Sequence, residues 1–134
     1  MLKITQALTL FALTASCATW GQTVNVTMLH TGEGSEGGRL AYLVRAELRN
    51  NRAVRYIDKP DSTHLAVNLV TLQDSTLPIT HYSAAWSYGP PLQDVYLTST
   101  VGVCGANKIR ECAESVAAKT DEIVSNFLAS TRKK

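Results

Sequence analysis

The sequence has little net charge for its length. Its 13 Lys and Arg offset 11 Asp and Glu, so the formal net charge of the 134-residue chain is only +2. A nearly neutral chain has no whole-molecule field to attract nucleic acid, and we expect no nucleic-acid partner. The hydrophobic fraction of 45% is ordinary for one globular domain. These numbers exclude collagen-like, coiled-coil and wholly disordered chains.

Residue patterns that carry catalysis or metal binding are also scarce. None of the three histidines, His30, His64 and His81, has another His, Cys or carboxylate nearby in the sequence at the spacing of metal ligands. We therefore expect no metal site. The chain contains no GxSxG or HExxH motif. We therefore expect no cofactor and no enzymatic activity. A Ser-His-Asp triad assembled from distant loops stays open, because triads are defined by geometry.

The first 22 residues are typical of a secretory signal peptide. Lys3 precedes a largely apolar run over residues 4–15, and small residues follow at 16–18. The run is shorter than the roughly 20 apolar residues that a membrane-spanning helix needs. Cleavage after residue 18 or 21 would leave a soluble exported protein, which we expect in the periplasm.

The same segment also resembles a bacterial lipoprotein signal. Ala15, Ser16 and Cys17 match the last three positions of a lipobox, although Thr14 stands where leucine is preferred. Cleavage after residue 16 would make Cys17 the lipidation site, and its acyl chains would hold the domain at a membrane surface. The sequence leaves both forms open.

The two remaining cysteines support export. Cys104 and Cys112 form an even pair, and disulfides persist in oxidising compartments. We predict that they are bonded and clip the end of a strand to the first turn of the following helix. Two small buried thiols are the alternative. The spacing is not the CxxC of redox enzymes, so the predicted bond is structural.

Hydrophobic spacing predicts one α+β domain over residues 23–130, followed by a basic tail at 131–134. The predicted strands are 23–30, 54–57, 65–73, 79–88 and 95–104, and the predicted helices are 39–50 and about 109–128, the latter capped by Asn107. The order β-α-β-β-β-β-α, with short turns between the last strands, indicates a two-layer sandwich whose mixed sheet contains an antiparallel meander. Both faces of strand 65–73 are partly apolar, which is typical of a central strand.

A glycine-rich segment follows the first strand. Residues 32–37 match GxGxxG, and Asp58 comes about where a ribose-binding acid would follow. Glu33 and Glu36 place two carboxylates where a pyrophosphate needs an electropositive backbone. We therefore predict a mobile loop without a cofactor.

Two groups of side chains are candidates for binding a partner. Arg45, Arg49 and Arg52 share a predicted helical face, which is either a solvated surface or a docking surface for anionic lipid, glycan or an acidic protein. Tyr82, Trp86 and Tyr88 share one face of one strand. That face is core if a helix covers it and a binding platform if none does.

A predicted helix of the form Leu40-x-x-Leu43-Val44-x-x-x-Leu48 precedes a short strand, the meander and a last helix. This order of elements resembles small bacterial envelope domains typified by the amino-terminal domain of TolB and by LpoB. The resemblance covers about residues 23–130 and implies a non-enzymatic adaptor that binds another envelope protein. The alternative is a periplasmic immunity or inhibitor protein that neutralises a hydrolase. Fold likeness by itself does not establish either function.

Overall fold

The computed structural model describes residues 21–133 and has the predicted order of elements. The elements are β1 (Val24–Gly32), α1 (Ser35–Asn50), β2 (Val54–Tyr56), β3 (His64–Gln73), β4 (Ile79–Gly89), β5 (Val95–Gly105) and α2 (Ile109–Thr131). Residues 1–20 of the predicted signal peptide, which include Cys17, lie outside the described residues. Neither of the two described helices is both long enough and apolar enough to cross a bilayer.

The five strands form one mixed sheet in the order β2-β1-β3-β4-β5. β1 runs parallel to both β2 and β3, while β3, β4 and β5 form the predicted antiparallel meander. The α+β class and the mixed sheet are thus confirmed. β3 is the central strand, as its sequence predicts.

Both helices pack on one face of the sheet, and Trp86 lies at the centre of this interface. The Trp86 side chain is fully buried. Its indole Nε1 donates a hydrogen bond to Thr120 Oγ1 of α2 at 2.9 Å, and the Thr120 hydroxyl donates in turn to the Val116 carbonyl oxygen. A buried indole N–H needs such a partner. The rest of the core is mostly aliphatic and comes from both helices and all five strands.

The first helix begins four residues earlier than the sequence predicts. α1 starts at Ser35 and includes Gly37 and Gly38, so the predicted mobile loop shrinks to Glu33 and Gly34. Glycine propensity argues against a helix there, but tertiary packing decides otherwise. A Cβ atom on Gly37 would collide with the Thr71 hydroxyl, so only glycine lets the helix approach β3 this closely.

The start of α2 also differs from the prediction. Lys108, and not Asn107, is the N-cap residue, and no side chain caps the helix. A turn in which Lys108 N–H donates to the Gly105 carbonyl oxygen leads directly into the helix. The predicted Cys104–Cys112 disulfide is present and joins the end of β5 to the first turn of α2. This covalent link fixes the helix start in place of a side-chain cap.

We expect the disulfide to stabilise the domain. Replacing both Cys104 and Cys112 by Ala should lower the free energy of unfolding by about 2–3 kcal/mol, because the bond closes a short loop in the unfolded chain. Urea denaturation with and without a reductant measures this effect. The double variant should not respond to the reductant. Equal stability of the oxidised and reduced wild-type protein would contradict the expectation.

The Trp86–Thr120 hydrogen bond should couple the two layers. Thr120→Val should lower the free energy of unfolding by about 1–3 kcal/mol, because it leaves the buried indole N–H without a partner. In a Trp86→Phe background, which has no indole N–H, the same substitution should cost clearly less. A double-mutant cycle by chemical denaturation checks this. Equal costs in both backgrounds would mean that the hydrogen bond contributes nothing.

Candidate binding surface on the open face of the sheet

The sheet has one covered face and one open face. Successive side chains of a strand point to opposite faces, and the Trp86 side chain contacts α2 on the covered face. Its neighbour Ala85 therefore points to the open face, and the strand registers extend this assignment across the sheet. In residues 21–133 both helices lie on the covered side.

Exposed apolar side chains cluster on the open face. We call these five residues the open-face patch: Leu29, Val70, Leu72, Val101 and Val103, with exposed fractions from 49% to 80%. Val70 and Val101 both lie level with Ser83 of β4, from opposite sides. Leu72 and Val103 flank His81 in the same way. Four of the five side chains thus line one shallow groove over β4.

This arrangement is unusual for a solvent-facing sheet. Antiparallel strands with one solvated face normally alternate apolar and polar residues. Single exposed apolar residues need no explanation, but contiguous ones mark interaction sites. The sequence analysis found both faces of strand 65–73 partly apolar but did not identify Val70 and Leu72 as part of a site. The signal that could have found the site is the lack of charged residues in β4 and β5.

A tight turn borders the patch. Asp74 Oδ1 accepts hydrogen bonds from the backbone N–H groups of Thr76 and Leu77 and from the Thr76 hydroxyl. These bonds, the Thr76 N–H first, lower the pKa of Asp74 to about 2. The other carboxylate oxygen lies 3.9 Å from His81 Nε2. The turn therefore fixes the β3–β4 register that sets Leu72 beside His81.

The side chains at the opposite end of the open face are buried. His64 and Ser87 are buried there. The Ser87 hydroxyl donates to the Asp94 carboxylate, which lowers the pKa of Asp94, while His64 Nδ1 bonds to the Ser62 carbonyl oxygen. A catalytic triad needs the base on the nucleophile and the acid on the base. Here the serine bonds to the acid, so these residues do not have the geometry of a triad.

The three candidate arginines have different surroundings. Arg49 pairs with Asp58 at 3.3 Å and stacks over the Tyr56 ring at 4.8 Å. Arg45 is half-buried and lies close enough to His30 to lower its pKa, after the larger effect of burial. Arg52 lies beyond the end of α1, so the prediction of a shared helical face is wrong for it.

The glycine segment does not have the geometry of a dinucleotide site. β2 pairs only with the start of β1, from Val24 to Val26. Asp58 comes two residues after β2 and therefore lies near the start of β1. Gly32 lies at the opposite end of β1, several residues further along the strand. Its carboxylate instead bonds to Arg49. The ribose-binding role that the spacing suggested is not available to Asp58.

The aromatic residues of β4 belong to the covered face. Trp86 is fully buried, so a binding platform that includes it is excluded. Tyr82 and Tyr88 are half-buried against the core, and Tyr88 stacks on Phe127 of α2 with ring centroids 4.5 Å apart. Tyr82 covers Gly102 of β5, where a Cβ atom would lie 2.6 Å from the ring. Of the two alternatives drawn from the sequence, core packing describes these residues.

The fold and surface define a small α+β domain with an open, apolar sheet face. No family model matches the sequence, and no curated protein matches it. A solved hypothetical protein from Chlamydia trachomatis is similar in structure, with a TM-score of 0.50 and 7% identity over 81% of this chain and 99% of that one.

Two further solved structures are less similar. A predicted lipoprotein from Caulobacter crescentus has a TM-score of 0.45 and 10% identity over 79% of this chain and 91% of that one. A ribosomal subunit interface protein from Coxiella burnetii has a TM-score of 0.42 and 10% identity over 77% and 98%. At 7% identity the likeness to the Chlamydia trachomatis protein concerns the fold and does not assign a function. The resemblance to TolB and LpoB stays a prediction.

We expect the Asp74 turn to make stability depend on pH. Because the folded-state pKa of Asp74 lies below its ordinary value of 3.8, its contribution is present above that pH and is lost as pH falls toward about 2. Asp74→Ala should be less stable than wild type at neutral pH and should lose less stability between about pH 4 and pH 2. Urea midpoints at both ends of this range measure the difference. Parallel pH profiles would contradict the assignment.

Proposed function

We propose that this protein is an exported, non-enzymatic binding module that holds another envelope protein against its open-face patch. The observation that carries the proposal is the contiguous group of exposed apolar side chains on β1, β3 and β5. Water contact with these side chains is unfavourable by roughly 25 cal/mol per Å² of apolar area. A partner that covers the patch removes this cost.

The side chains of the open-face patch indicate what kind of surface the partner should have. The groove between Val70 and Val101 contains no carboxylate or amine, and its polar groups are the Ser83 hydroxyl and the His81 ring. An apolar centre with a polar margin is the usual composition of a protein interface. The partner should therefore present apolar side chains with hydrogen-bonding groups around them. A strongly charged partner fits this surface poorly.

Export is supported by two features of the chain. The first 22 residues match a secretory signal, and the Cys104–Cys112 disulfide suits an oxidising compartment. We propose that the domain works in the bacterial periplasm. Lipidation at Cys17 would place it at a membrane surface and bring the patch close to membrane-bound partners.

Photo-crosslinking in the producing cell tests the proposal. A photoreactive amino acid at Leu72 should crosslink to one envelope protein, because this position lies in the patch. The matched control is Tyr42, an equally exposed hydrophobic residue on α1. The crosslinked partner is identified by mass spectrometry and confirmed by loss of the band in a Val70→Ser variant. Identical bands from Leu72 and Tyr42 would contradict a site on the open face.

The identity of the crosslinked protein separates adaptor from inhibitor. An adaptor should crosslink to a structural or assembly component of the envelope. If the crosslinked protein is a hydrolase that the purified domain inhibits in equal molar amount, the adaptor role is wrong and the inhibitor alternative stands.

A further inference from the structure

The two edges of the sheet are built differently. The β2 edge is only three residues long, carries the exposed Arg55, and is soon followed by Lys59 and Pro60. Charges, prolines and short length are the usual protections of an edge strand against pairing with another chain. The β5 edge has none of them: it is 11 residues long, and its sequence VYLTSTVGVCG contains no charged residue and no proline.

The hydrogen-bonding groups at the β5 edge can be assigned. Ala106 N–H donates to the Pro78 carbonyl oxygen at 3.0 Å, one step beyond the Gly105–Ile79 pair. Hydrogen-bonded pairs alternate along an antiparallel ladder. The even-numbered residues of the regular segment 98–104 therefore bond to β4. The N–H and C=O groups of Ser99, Val101 and Val103 point away from the sheet.

We propose that β5 pairs antiparallel with β5 of a second copy of this chain, about a twofold axis at Val101. Val101 is the midpoint of the segment 98–104, which lies between the bulge near Trp86 and the Cys104–Cys112 bond. In this register Val101 faces Val101 of the second copy, and Ser99 faces its Val103. The three outward-facing residues of each copy then form about six backbone hydrogen bonds.

The side chains favour a second copy as the occupant. A twofold axis perpendicular to the sheet keeps both open faces on the same side, so Val101 and Val103 of the two copies adjoin and shield one another from water. No charged side chain of Val95–Gly105 opposes its own copy. The contact is isologous and closes at two subunits. The result is a ten-stranded sheet whose other two edges are the protected β2 strands.

This pairing goes beyond the proposed function and does not depend on it. The pairing uses the backbone edge of β5 and shields two residues of the open-face patch, Val101 and Val103, whereas the Leu72 position of the partner test lies on β3, two strands or roughly 10 Å away. A monomer that still crosslinks from Leu72 would refute the dimer alone. A dimer without a Leu72 crosslink would refute the partner alone.

Sedimentation equilibrium of the purified protein, after any processing of its first residues, tests the pairing. Wild type should have twice the mass of one chain. Val101→Pro removes an N–H that does not bond to β4, so it should fold and halve the observed mass. Val101→Thr keeps the N–H and the branched shape and should stay dimeric. Circular dichroism and Trp86 fluorescence report whether each variant is folded.

A crosslinking test does not depend on the proline variant. Val101→Cys places a thiol opposite its own copy and should give a covalent dimer on mild oxidation, whereas the control Tyr42→Cys on α1 should not. A monomeric wild type at about 100 μM, a folded Val101→Pro that remains dimeric, or equal crosslinking of the two cysteine variants would overturn the proposal. Capture of a strand from another protein by a monomeric wild type would overturn it too.

Discussion

The hydrogen bond from Trp86 to Thr120 is the contact on which this structure depends most. It joins the centre of β4 to the middle of α2 across the interface between the two layers, and both of its groups are fully buried. An indole N–H without a partner at this place would cost about 1–3 kcal/mol. The bond therefore holds α2 on the face of the sheet to which the Trp86 side chain points, together with the aliphatic core on that face. The opposite face carries neither of the two described helices.

The open face exists because residues 21–133 form only two layers, one sheet and one layer of helices. A third layer would be needed to bury the apolar strand residues on the other side of the sheet. β3 is central and apolar on both sides. The helices cover Leu65, Val67 and Leu69, while Val70 and Leu72 point the other way and stay exposed. The Asp74 turn holds β4 in register beside them. β5 then adds Val101 and Val103 at an edge that no charge protects. The packed helices and the covered face of the sheet thus hold in place the open face and the β5 edge, through which we propose that the molecule binds.

The sequence predicted the architecture well, because element order and type depend on local hydrophobic spacing. The Cys104–Cys112 bond was predictable from the same local order, since it joins adjacent elements. Contacts between distant residues were not predictable. The start of α1 depends on the fit of Gly37 against Thr71, two residues far apart in sequence. Likewise, spacing showed that Trp86 and its neighbours share a face but could not say which face the helices cover.

The candidate site was largely missed for the same reason. Arg45, Arg49 and Arg52 were conspicuous as charges, yet Arg49 is engaged by Asp58 and Tyr56 and Arg52 lies outside the helix. The residues of the open-face patch look like ordinary strand residues in the sequence. Only the arrangement of layers distinguishes an exposed valine at position 101 from a buried one at position 67.

Amide hydrogen exchange by NMR at increasing protein concentration tests most directly the central claim that this molecule associates through its β5 edge. The account predicts that Thr100 and Gly102 are protected at every concentration, because they bond to β4. Val101 and Val103 should exchange fast when the protein is dilute and become protected as concentration rises. Fast exchange of Val101 and Val103 at all concentrations, or concentration-dependent protection confined to the outer surface of α1, would contradict it.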